Sequence, residues 1–91
     1  MPPPRRPARS AAPTPTEAVG AAIAALDGTL AVARALVEGG RRIDLEGLEQ
    51  EAAALCAAVM ALGTEEARRM RPALEALRTH VDGLAATMRA A

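Results

Sequence analysis

The chain has 91 residues, no aromatic residue, 11 basic against 11 acidic side chains and a single cysteine. This length allows one small domain. The balanced charge gives no nucleic-acid footprint, and the lone cysteine excludes an intrachain disulfide and a cysteine-based metal cluster. No uncharged run reaches the ~18 to 20 residues that a membrane-spanning helix needs. We therefore expect a cytoplasmic protein without a membrane span, and its arginine-only basic set and abundant alanine indicate a GC-rich bacterial source.

Residues 1–13 are rich in proline and arginine and precede a predicted helical domain over 14–91. Proline-rich stretches of this kind are extended and do not build a packed core. The segment is therefore predicted to be a disordered tail. Its arginines, unmatched by any acid, are Arg5, Arg6 and Arg9.

The first helix is predicted over about 15–38 from signals at both ends. Thr14 can cap it, Pro15 suits the first helical position, and Glu17 follows Thr14 by three residues as in a capping box. The Gly39–Gly40 pair supplies a left-handed stop at the other end.

Two further helices are predicted over about 45–62 and 65–89. Asp44 is placed to cap the second helix and Thr64 the third. Pro72 lies inside the third helix, where proline removes a hydrogen bond and clashes with the preceding turn. Because the apolar spacing continues past Pro72, we expect a kinked but continuous helix.

Each predicted helix carries an apolar stripe that steps by three or four residues. This spacing places the side chains on one helix face, which helices bury against one another. Short connections make successive helices antiparallel. The predicted fold class is therefore all-α, an antiparallel three-helix bundle or an extended helical hairpin. The stripes comprise Val19, Ile23, Leu26, Leu30, Ala33 and Val37; Leu45, Leu48, Ala52, Leu55, Val59 and Leu62; and Met70, Leu74, Leu77, Val81, Leu84 and Met88.

One end of the predicted bundle lacks charge. The antiparallel arrangement brings Ala18–Leu26 beside Ala52–Gly63, and on the second helix even outward positions such as Met60 are apolar. This end is either a docking face for a partner helix or the most buried part of a central helix. Val32 and Leu36, which lie off the stripe of the first helix, favour a second interface that another chain would cover.

No catalytic constellation can be built from the few reactive side chains. The only serine, Ser10, lies in the tail, so a Ser/His/Asp triad has no rigid scaffold. Cys56 has no basic neighbour within a helical turn and is expected to be a small core hydrophobe rather than a redox-sensitive thiol. His80 is expected at the rim of the bundle, with a phosphotransfer role as the alternative. We expect no enzymatic activity, no cofactor and no metal.

The run from Leu36 to Glu49, LVEGGRRIDLEGLE, is followed by Leu55-Cys56 and by a helix start at Thr64-Glu65-Glu66. This order of elements resembles small flagellar export chaperones of the FlgN/FliT type, and the resemblance extends over about 19–88. It implies a protein that sequesters an amphipathic segment of a late export substrate and delivers that substrate to the export apparatus.

The resemblance implies capture of a partner helix by the side chains nearest the uncharged end. A charge at the centre of this surface, as in Val59→Arg, is expected to abolish capture while leaving much of the helix content. The alternative is a homo-oligomeric structural or scaffold protein, in which the uncharged end forms a dimer interface. The candidate partner contacts are Leu55, Val59, Met60, Leu62, Met70 and Leu74.

Overall fold

A computed structural model describes residues 13–90, which form three α-helices: α1 over Pro15–Glu38, α2 over Leu45–Met60 and α3 over Thr64–Ala90. Each helix packs against the other two. The predicted all-α three-helix bundle is therefore confirmed. The predicted disordered tail falls, except for Pro13, outside the described residues.

The ends of α1 are formed by the predicted signals. The Glu17 N–H donates to the Thr14 hydroxyl (3.1 Å), and the Thr14 N–H donates back to the Glu17 carboxylate (2.9 Å), which completes the capping box. At the other end Gly40 has a φ of 81°, a conformation that glycine adopts without steric cost. The Arg41 N–H then donates to the Leu36 carbonyl (2.8 Å), as in a Schellman turn, and the chain reverses towards α2.

The turn between α2 and α3 differs in detail from the prediction. Helix α2 ends at Met60, two residues early, because the Leu62 N–H donates to the Val59 carbonyl (3.0 Å) and tightens the last turn. The Gly63 carbonyl accepts the first helical bond of α3, so Thr64 lies inside the helix and the predicted Thr64 cap is wrong by one residue.

Asp44 caps α2 as predicted, and α3 runs without a break through Pro72. The Asp44 carboxylate accepts from the Gly47 N–H at 2.9 Å. The apolar positions on either side of Pro72 stay on the same face because the helix continues.

The apolar stripes meet in two adjoining clusters along the bundle. At the uncharged end, Val19 and Ile23 of α1 pack with Val59 of α2, which shows that α1 and α2 are antiparallel. Leu55 and Leu74 contact both clusters and join them. The longer cluster has as its buried members Leu26, Leu30, Ala33, Leu48, Leu77, Val81 and Leu84.

Helix α1 is long and apolar enough, by length and composition alone, to cross a membrane. The core helix of a soluble bundle passes the same test. In this structure its stripe is buried against α2 and α3, with Ile23, Leu26 and Leu30 each 3% exposed. The absence of a membrane span stays a prediction.

The capping box at the start of α1 makes stability depend on pH. The hydrogen bond from the Thr14 N–H, helped by the Thr14 hydroxyl, holds the pKa of Glu17 below its usual value of 4.5. A lowered folded-state pKa contributes stability above the unfolded value that is lost as pH falls through the folded value. We expect Glu17→Gln to unfold at a urea concentration that depends less on pH, below about pH 4.5, than the wild-type midpoint does.

The matched control is Glu49→Gln, which removes an exposed carboxylate from α2. This variant leaves the Thr14–Glu17 capping box in place and so reports the loss of a carboxylate elsewhere. Equal pH slopes for wild type and Glu17→Gln would contradict the role of the capping box.

Candidate partner-binding groove

A groove runs between α2 and α3 on the surface of the bundle. We call it the α2–α3 groove. It begins near the turn that joins the two helices and extends along α3 as far as Arg78. The residues that line it are Cys56, Val59, Met60, Thr64, Ala67, Arg68, Arg71, Leu74, Glu75 and Arg78.

The floor and one wall of the α2–α3 groove are apolar. Val59 is only 2% exposed and belongs to the core beneath the groove, whereas the neighbouring Met60 is 79% exposed. Ala67 and Leu74 are half-buried on the α3 side. An unbranched, flexible methionine beside small side chains forms a surface that adapts to different apolar partners.

The α3 wall of the groove is rich in arginine. Arg68 pairs with Glu65 at 3.4 Å and Arg71 with Glu75 at 3.6 Å, and all four side chains are largely exposed. Such surface pairs contribute little energy and exchange partners at low cost. Arg78 has no ion-pair partner within the described part of the chain, so its guanidinium gives this wall an unbalanced positive charge.

The predicted contact residues divide between groove and core. Val59, Met60 and Leu74 line the α2–α3 groove, and of these Met60 is the exposed one. Val59 is 2% exposed, and its role as a direct contact stays a prediction.

The other three predicted contacts lie outside the groove lining. Leu55 is half-buried and packs on the core. Met70 faces α1, with its methyl group 3.5 Å from where a Cβ on Gly20 would lie. Leu62 is half-buried in the turn after α2.

Cys56 is exposed, so its predicted place in the core is wrong. One residue after Leu55, it is rotated by about 100° around the helix and faces the groove instead of the core. The sequence feature that indicates the α2–α3 groove is the spacing of Ala67, Arg71 and Arg78. This spacing places the three residues on a second face of α3, next to its apolar stripe.

A second groove, between α1 and α2, lies under the exposed side chains of Val32 (61% exposed) and Leu36 (38%). We call it the α1–α2 groove. The exposure of these two residues agrees with their predicted position off the stripe. Small residues leave the groove open, and within the described part of the chain its lining contains two acids and no base. The lining residues are Ala22, Ala25, Leu26, Gly28, Thr29, Val32, Ala33 and Leu36 of α1, with Ile43, Asp44, Gly47, Leu48, Glu51, Ala54 and Leu55.

His80 joins α3 to α1 on the remaining side of the bundle. Its Nδ1 lies 3.1 Å from Asp27 Oδ1, and both side chains are partly exposed, as expected for a rim position. Among residues 13–90 no group of His, Cys, Asp and Glu side chains is arranged to hold a metal ion.

The protein is an all-α three-helix bundle whose α2–α3 groove has an arginine-rich wall. Compared with known proteins, the chain matches no protein-family profile, no curated protein and no solved structure.

Proposed function

We propose that the protein is a helical protein-binding module that captures an amphipathic helix of a partner in the α2–α3 groove. The observation that carries this proposal is the exposed Met60 opposite the arginine wall of α3. The apolar face of the partner would lie on Met60, Ala67 and Leu74. Its flanking acidic side chains would pair with arginines, which bind carboxylates with two parallel hydrogen bonds.

The length of the groove suits a helix. From Thr64 to Arg78 the rise along α3 is ~21 Å, or about four turns of a bound helix. The apolar part of the surface is modest, and charge pairing sets specificity and association rate more than affinity. We therefore expect transient binding that weakens with salt.

The resemblance to flagellar export chaperones supplies the candidate partner. In that interpretation the captured helix belongs to a late flagellar export substrate in the bacterial cytoplasm, and capture prevents its early assembly. The alternative is a homo-oligomeric scaffold. The exposed side chains of Met60 and Val32 agree with both alternatives, because a partner helix or a second copy would each cover apolar surface. The unbalanced positive charge of Arg78 favours an acidic partner.

Binding should be measured by fluorescence anisotropy with labelled peptides that cover the amphipathic segments of late flagellar export substrates from the source organism. We expect Arg78→Glu to raise the Kd about tenfold, because loss of one charge pair and a new repulsion cost ~1.4 kcal/mol or more. Met60→Gln should raise the Kd by a similar factor. A bound peptide should also slow alkylation of Cys56, which lines the same groove.

Two control variants carry the same chemical changes outside the groove. Arg42→Glu reverses an exposed charge in the connection before α2, and Val32→Gln makes an exposed apolar residue of α1 polar. Both should bind like wild type. Peptide binding that survives Arg78→Glu and Met60→Gln would overturn the groove assignment. Concentration-dependent self-association that Met60→Gln abolishes, without peptide binding, would favour the scaffold.

A further inference from the structure

The exposed face of α2 that borders the α2–α3 groove carries an acid of its own. Glu49 lies seven residues before Cys56, which places the two side chains on the same face of the helix, about two turns apart. Glu49 is exposed and forms no ion pair with any of residues 13–90. The groove therefore has an unpaired base, Arg78, on α3 and an unpaired acid beside it on α2.

Glu49 and Arg78 lie at nearly the same height along the bundle. Leu55 of α2 and Leu74 of α3 both contact the two core clusters, so they mark one level of the structure. Glu49 lies six residues before Leu55, or about 9 Å along α2. Arg78 lies four residues after Leu74, or about 6 Å in the same direction, because α3 is antiparallel to α2. The difference of about 3 Å is shorter than either side chain.

A second copy of the chain brings these charges together across an interface. If two copies face each other about a twofold axis parallel to their helices, α2 of each copy lies on α3 of the other at an unchanged height. Glu49 of each copy then meets Arg78 of the other, and Met60 lies at a height between Ala67 and Arg71. A twofold axis running across the helices would instead place the two arginine-rich walls against each other, where like charges repel.

We propose that a second copy of the chain occupies the α2–α3 groove when no partner helix is bound. The exposed side of α2 has the chemistry that this groove requires of an occupant, because the acid Glu49 is followed by the exposed small side chains of Ala53 and Ala57. The contact is isologous, so it forms two Glu49–Arg78 pairs and covers both copies of Met60, which is 79% exposed in one chain.

Dimer formation of this kind regulates the capture site. One groove cannot hold a second copy and a partner helix at the same time, so the two compete for Met60 and Arg78. Binding of the partner helix is then weaker at high protein concentration, since part of the protein is dimeric. This competition, but not the dimer itself, rests on the proposed function.

Exchange of charges between two chains tests the pairing. Glu49→Arg and Arg78→Glu are measured separately and as an equimolar mixture by sedimentation equilibrium at low ionic strength. Each variant alone has two like-charge contacts in place of two ion pairs, so its dimer Kd should rise about a hundredfold, tenfold for each contact. A mixed dimer regains both pairs, because each introduced charge faces its opposite on the other chain. The Kd of the mixture should return close to that of wild type.

Glu38→Arg is the matched control, because it makes the same change at an exposed position at the end of α1, outside the groove. It should dimerise like wild type. A wild-type mass of one chain at every protein concentration would overturn the proposal. A mixture no more dimeric than its separate components would also overturn it, since Glu49 and Arg78 would then not pair between chains.

A peptide titration separates this inference from the proposed function. An amphipathic peptide that binds in the groove should shift the mass of the wild-type protein from two chains to one chain with its peptide. Dimer formation that follows the charge exchange while no peptide binds would contradict the capture function and support the second copy as occupant. A peptide that binds without dissociating the dimer, and whose binding Arg78→Glu weakens, would overturn the placement of the second copy in this groove.

Discussion

Replacing Val59 by arginine is expected to lower the free energy of unfolding by about 4 kcal/mol or more, because an unpaired charge would be buried. Val59 is 2% exposed and packs with Val19 and Ile23 of α1. The cluster around Val59 is built from hydrophobic side chains. The effect should appear in urea denaturation followed by circular dichroism.

Met60→Arg is the matched control, since it introduces the same charge one residue further along α2. At 79% exposure this side chain should change the free energy of unfolding by roughly 0.5 kcal/mol or less. Equal stability of the two variants would show that the end of α2 is not packed on α1. Because Val59 lies in the core, we now expect Val59→Arg to lower the helix content as well, instead of leaving much of it.

Replacing Leu77 by alanine is expected to cost about 2 to 5 kcal/mol, because both the buried methyl groups and the packing around them are lost. Leu77 is 1% exposed and lies in the longer core cluster, among residues of all three helices. A domain of this size has only ~4 to 12 kcal/mol of stability in total. The variant should therefore be partly unfolded or melt at a much lower temperature in calorimetry.

Leu36→Ala provides the comparison at the same residue type. Leu36 is 38% exposed, so truncation should cost about 1 kcal/mol or less. A loss for Leu77→Ala no larger than that for Leu36→Ala would mean that the core at Leu77 collapses around the smaller side chain.

The helices and most of the core could be predicted from the sequence because they depend on local signals. Thr14, Asp44 and Gly40 act within a few residues of themselves, and a period of 3.6 residues determines which side chains share a face. The buried residues of α1 are the predicted stripe, from Val19 to Ala33. The end of α2 differed because the chain tightens into a turn at Leu62, which periodicity does not report.

The surface could not be predicted in the same way, since it depends on how the helices are rotated against each other. Cys56 and Leu55 are adjacent in the chain, yet one faces the groove and the other the core. Met70 has the same periodicity as Leu74 but contacts α1 instead of lining the α2–α3 groove. Residue spacing identifies a helix face, whereas the neighbour of that face follows from tertiary packing.

The position of α3 in the chain also has a consequence for biosynthesis. Leu77, Val81 and Leu84 complete the longer core cluster, and they leave the ribosome after its α1 and α2 members. Until then Leu26 and Leu30 of the nascent chain lack their α3 neighbours, and the α1–α2 hairpin exposes an apolar surface. Within the bundle the α3 contacts form last, so this part of the nascent protein is most prone to aggregate or to meet a chaperone until α3 has left the ribosome.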